Sequence, residues 1–202
     1  MAGYMITYCL GGDVSAGRLI INYTVFMTFG EVTSMIFGGL SPAVTRWLGS
    51  KKKAFSCAAG LCALSSLAFY FIPMSPGYIW VMILIVVLTS VGIGIYSPLL
   101  WSMYADVADY SISLHGTSST GLIFSSGTMA QKLGSALSGG LVAVLLGVAG
   151  FSSGTDPQTG LAVVSISDIG TVTQMIWSMF SIFPALFAAL MLLFIRIYPI
   201  RK

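Results

Sequence analysis

Five apolar runs, each long enough to cross a bilayer as a helix, dominate the sequence. A hydrocarbon core of roughly 30 Å needs about 20 helical residues. The runs occupy residues 19–45, 54–72, 77–104, 121–150 and 172–197. Segments of about ten residues with alternating polarity, which a transmembrane barrel requires, do not occur. The charge content agrees: nine Lys and Arg and six Asp and Glu make only 7% of the 202 residues. A soluble domain carries about 25%. Hydrophobic residues make up 56% and the mean hydropathy is +0.94. These values exclude a disordered chain, a soluble enzyme and a nucleic-acid binder. The expected class is all-α, a polytopic transmembrane helical bundle of five full spans plus the end of a sixth.

Basic residues set the expected orientation. Arg46, Lys51, Lys52, Lys53, Arg196, Arg201 and Lys202 lie on one side of the spans, and Arg18 alone on the other. Positive loops stay in the cytoplasm. The 46–53 loop, the 105–120 loop and the C-terminus are therefore expected inside, and the 73–76 and 151–171 connections outside. The fit is a multi-pass protein of the inner (plasma) membrane. Trp47, Trp80, Trp101 and Trp177 fall near span ends, where an aromatic belt places them. Residues 1–12 are apolar but too short to span, and lack the basic start of a secretory signal. They read as the tail of a helix that begins earlier.

Two ionisable residues fall inside spans: Glu31 in the first and Lys132 in the fourth. A charge at that depth must face protein or water, which marks a candidate site. Residues three, four and seven positions away share its helix face. For Glu31 these include Thr24, Thr28, Ser34 and Gly38, and for Lys132 they include Ser125, Thr128, Ser135 and Gly139. Each charge thus lies on a small, polar stripe suited to a substrate or ion path. The plainer alternatives are a buried Glu31–Lys132 pair or two snorkelling side chains.

At the inner end of the third span, Asp106 and Asp109 share one face, followed by Tyr110. They are too isolated for a metal site, and suit a charge cluster tying helix ends together. The lone histidine, His115, sits in a Ser/Thr-rich stretch with no nucleophile paired to it, so no catalytic residue is assigned. Cys9, Cys57 and Cys62 are odd in number and lack C-x-x-C spacing, which argues against a disulfide framework or a zinc site.

The stretch from Tyr104 to Tyr110, and above all the run Thr128-Met-x-x-Lys132-x-Gly134-Ser-Ala136, resembles the glycoside–pentoside–hexuronide:cation symporters of the major facilitator superfamily. The basic loop at 46–52 and the ending Phe183-Pro-Ala-Leu-Phe are similar to later parts of the same family. Members have two six-helix halves. The resemblance implies that residues 1–202 form the C-terminal six-helix half, beginning in the end of helix seven at 1–12. Lys132 and Thr128 then match cavity-facing positions of helix eleven, and Asp106, Asp109 and Tyr110 match a cytoplasmic gate. The implied ligands are a small-molecule sugar and a coupling Na+ or H+. The cation would bind mainly in the N-terminal half, which is missing here and would be the protein partner; no other cofactor is implied.

This sequence departs from the family after Tyr110. There it reads Ser-Ile-Ser-Leu-His-Gly rather than an acidic-aromatic-basic loop, so the charged latch is altered. Glu31 acquires no role from the family. The expected activity is cation-coupled sugar symport by alternating access. The alternative is a non-transporting remnant, or a helix-bundle subunit acting through association with another membrane half.

Overall fold

The computed structural model describes residues 16–72, 78–116, 118–155, 162–166 and 168–197. The expected helix tail at 1–12 and the basic residues Arg201 and Lys202 lie outside them. Every expected full span is a helix: α1 Ala16–Leu48, α2 Lys51–Tyr70, α3 Ile79–His115, α4 Thr120–Val148 and α5 Ile169–Ile197. By length and composition, α2 to α5 contain stretches apolar enough to cross a membrane. α1 is long, at 33 residues, and carries Thr28, Glu31, Thr33, Ser34 and Ser41 along its length.

Three expectations need correction. Residues 105–115 are helix, not loop, because α3 continues for 37 residues. That is about 55 Å at 1.5 Å per residue, well beyond the hydrocarbon. α3 stops at Gly116, whose left-handed backbone (φ 67) lets its N–H reach the Ile112 carbonyl. Next, the 151–171 connection contains an antiparallel hairpin of β1 Phe151–Thr155 and β2 Ala162–Ile166, paired from Phe151↔Ile166 to Thr155↔Ala162. Val163, Val164 and Ile166 are β-branched and favour the extended backbone. Finally, Trp177 is not part of an aromatic belt. It is only 3% exposed, lies 4.9 Å from the Phe69 ring and donates Nε1–H to the Tyr70 carbonyl. Trp47 and Trp80 are exposed near helix ends, as a belt requires.

α1 lies along α3, and α2 fills the space between α3 and α5. One apolar cluster joins Phe69, Met82, Leu146, Val172, Ile176 and Trp177. A second, nearer the basic end, joins Phe55, Ala58, Leu99, Met103 and Ile195. Lipid gives helices little hydrophobic reason to associate, so close approach and interhelical hydrogen bonds matter more. Gly94 supplies the approach: a Cβ there would lie 2.5 Å from the Ser34 carbonyl oxygen. Hydroxyls supply bonds. Buried Ser41 donates to the Ile95 carbonyl at 3.2 Å, joining α1 to α3, and Ser65 and Thr89 share a hydrogen bond of 2.9 Å between α2 and α3.

The start of α5 is capped by Asp168, which accepts the Gly170 N–H at 2.9 Å and the Thr171 hydroxyl. The Thr171 bond foremost, then the Gly170 N–H, holds this exposed carboxyl below its usual range.

Two outcomes are expected. Gly94→Val should destabilise the bundle by about 1–3 kcal/mol through overpacking against backbone. Gly134→Ala, where a Cβ meets nothing within 4 Å, should be neutral or slightly stabilising. Thermal unfolding midpoints in detergent compare them. Hydrogen exchange at the first turn of α5 reads the cap. Because the folded carboxyl is lowered, its protection should be complete above the unfolded value of about 4 and fall as pH drops through the folded value. Asp168→Ala should show little of that dependence.

Candidate functional site

Helix α4 is held at its ends and bare in the middle. At one end Phe124 stacks on Trp101 at 6.2 Å and meets Tyr104 edge-on. Gly127 makes room for that ring, since a Cβ there would lie 2.6 Å from Tyr104 Cε2. At the other end Leu146 enters the first apolar cluster. Between them every residue from 129 to 141 is exposed. Lys132 sits in this stretch, with no ion pair or hydrogen bond from its ammonium to a described residue. An insertion cost of roughly 2.5–3.5 kcal/mol for a lysine at mid-membrane means that this face does not suit acyl chains.

The hydroxyls beside Lys132 bond within their own helix. Thr128, half-buried, donates to the Phe124 carbonyl at 2.8 Å, Ser135 to Lys132 at 2.9 Å and Ser125 to Leu122 at 3.1 Å. A hydroxyl bonded this way hides its donor and still offers lone pairs outward. The stripe is thus a line of acceptors beside one fixed positive charge.

Glu31 lies elsewhere. It is exposed midway along α1 and lines a cavity of about 450 Å3 between α1, α2, α3 and α5. No α4 residue lines that cavity. Among the described residues Glu31 forms no ion pair, so the Glu31–Lys132 pair considered from sequence is not found.

The third group lies at the basic end. Asp106, on the long part of α3, takes an ion pair from Lys51 at 2.7 Å, with the two side chains 15% and 30% exposed. Lys52 donates to the Arg196 carbonyl in the last turn of α5 at 3.0 Å. Asp109 and Tyr110 are exposed, and Asp109 makes no ion pair among the described residues. Asp106 and Asp109 therefore share a helix face without sharing a partner.

The pairing of Lys51 was not read from the sequence, although a signal existed. Three lysines open α2, where the helix dipole disfavours positive charge by about 0.3–1 kcal/mol each. Such a run calls for acceptors close by. Asp106 and the C-terminal carbonyl of α5 provide them, so α2 ties the ends of α3 and α5 together. Among the described residues no group of three metal-ligating side chains comes together.

Comparison with known proteins agrees with this architecture. A family model described as MFS/sugar transport protein matches residues 2–202. The uncharacterized 29.9 kDa protein in the crtE 3' region of Pseudescherichia vulneris is 32% identical over 84% of the chain and 58% of its own length. The inner membrane symporter YicJ of Escherichia coli is 27% identical over 86% of the chain and 35% of its length. The glucuronide carrier protein homolog of Escherichia coli is 25% identical over 66% of the chain and 30% of its length. The chain thus spans less than two thirds of each of these relatives. No solved structure matches.

A double-mutant cycle tests the tie at the basic end. Lys51→Met and Asp106→Asn should each lower stability, with a coupling of about 1 kcal/mol, toward the upper end for a partly exposed pair. The same cycle between Lys53→Met and Asp106→Asn should give a coupling near zero.

Proposed function

The chain belongs to the MFS/sugar transport protein family, and from that premise we propose that it supplies the C-terminal half of a cation-coupled sugar symporter. The observation that carries this reading is the bare middle of α4, with Lys132 at its centre. A polar, glycine-containing face on an otherwise apolar helix suits a cavity wall and does not suit lipid. Facing a second half across the membrane, it would line the midplane path of an alternating-access carrier.

In this reading Lys132 and Thr128 stand on the substrate and cation path. Thr128 offers hydroxyl lone pairs to a sugar. Lys132 places a positive charge where the arrival of a coupling Na+ or H+ changes its energy, which biases the conformation that binds sugar. Asp106, with Lys51, and the exposed Asp109 and Tyr110 form the inner gate. The Lys51–Asp106 pair holds this half together, and Asp109 is left for an approaching partner. Sugars of the glycoside, pentoside and hexuronide classes are the proposed substrates. The basic end, with the C-terminus, faces the cytoplasm in this reading, which the distribution of Lys and Arg supports.

Uptake measurements test this. Membrane vesicles containing the chain together with a complementary N-terminal half should accumulate radiolabelled glycoside or hexuronide under an imposed Na+ or H+ gradient. Lys132→Ala should leave downhill sugar entry and abolish accumulation against a gradient. Fully coupled uptake by Lys132→Ala would overturn the role given to Lys132. Absence of uptake by the paired halves, both present in the membrane, would favour the non-transporting subunit.

A further inference from the structure

The cavity between α1, α2, α3 and α5 is lined by no residue of α4, whose face carries the proposed transport path, and its lining has a definite chemistry. Its volume of about 450 Å3 falls in the range of small-molecule sites, roughly 300–1,000 Å3. Its walls are mostly apolar, with Phe69 and Phe180, whose ring centroids are 5.9 Å apart, on one side. Among the described residues Glu31 is the one charged residue in the lining, and no described Lys, Arg or His faces it there.

A second observation points to a ligand. Ser66 and Ser90 line the cavity at 4% and 8% exposure. The comparably buried Ser41, Ser65 and Ser181 all donate to main-chain carbonyls. Ser66 and Ser90 make no such bond to a described residue, and neither hydroxyl oxygen is sealed off from the cavity. Buried hydroxyls ordinarily find partners. These two line the cavity with hydroxyls that have no partner among the described residues.

The lining selects among ligand classes. An anion would meet a carboxylate and no cation. A sugar would bury more hydroxyls than this lining can satisfy, and each one left unpaired weakens binding. A bare metal cation needs six or so oxygens close around it, and a cavity of this size with mostly carbon walls does not offer them. An organic cation fits each feature. Its positive group neutralises Glu31, its N–H or polarised C–H groups meet the serines, and its apolar body lies against the phenyl rings.

We propose that this cavity is a binding site for an amphiphilic organic monocation, anchored by Glu31 and lying against the apolar wall that Phe180 and Ile93 contribute. The site is separate from the α4 face, and binding to it requires no transport. Failure here and failure of the symporter reading are therefore distinguishable.

Tetraphenylphosphonium is a suitable probe because its charge is fixed. Equilibrium binding to the detergent-purified full chain should be saturable. The neutral, similarly shaped triphenylphosphine oxide should bind much more weakly. Glu31→Gln should weaken tetraphenylphosphonium by about fivefold, the loss that follows removal of one partner from an exposed charge pair. Glu31→Asp should retain most of the affinity. Ser34→Leu, which fills the cavity from α1, should abolish binding. Thermal unfolding midpoints establish that each variant is folded. Equal binding of the cation and the neutral compound by the unaltered chain would overturn the proposal, whatever the variants do. So would unchanged cation affinity in Glu31→Gln, or a co-purified phospholipid, seen by native mass spectrometry, that the cation does not displace.

Discussion

Everything else in the bundle depends on the approach of α1 to α3 at Gly94, where a missing Cβ lets one backbone touch another. In a membrane the lipid is as apolar as the side chains, so burying leucine is a weak reason for two helices to meet. Close backbone contact, and the hydrogen bonds that become possible at that distance, take its place. The Ser41 bond to Ile95 is one such bond, closing the same pair of helices. With α1 fixed on α3, and α2 fixed on α3 through the Ser65–Thr89 bond, α5 closes the remaining side on α2. The cavity beside Glu31 is the space this arrangement leaves.

α4 obeys the opposite rule. Gly134, Gly139 and Gly140 serve no contact among the described residues: no described atom of another element lies within 4 Å of where a Cβ would stand at each. Gly127 is the exception, receiving the Tyr104 ring. One helix thus carries two kinds of glycine. The first is used inside this chain, and the others present a smooth, polar face outward around Lys132. In the proposed reading, in which a second half pairs with this one, that face is the seam.

Much of this was legible in the sequence. Apolar runs of 19 to 30 residues determine helices because unsatisfied backbone groups are not tolerated in lipid, and all five runs are helical. The family was legible from the run around Lys132. What escaped did so for physical reasons. α3 outlasts its apolar run because Asp106, Asp109 and Ser111 tolerate helix once they are outside the hydrocarbon, and nothing breaks it before Gly116. The hairpin at 151–155 and 162–166 escaped because short β-branched runs are ambiguous without a partner strand. Trp177 was assigned to the interface because its position near a helix end says nothing about which way the ring points. Glu31 and Lys132 resemble each other as isolated charges on polar stripes. Periodicity identifies a helix face but not the neighbour opposite it, so the separation of the two charges into different places required the fold.

The link between α1 and α2 has a mechanical consequence. It is two residues long, turning at Gly49 (φ 70), and α2 then begins at once with Lys51 gripping α3 and Lys52 gripping α5. No slack remains at this end. A displacement of α1 is handed directly to α2, and from there to both neighbours, so the four helices turn as a single block with its collar at the basic end. α4 is outside that collar. α4 meets the block at two places, the aromatic contact of Phe124 with Trp101 and Tyr104 and the apolar contact of Leu146, so those two contacts are the bearings on which it sits.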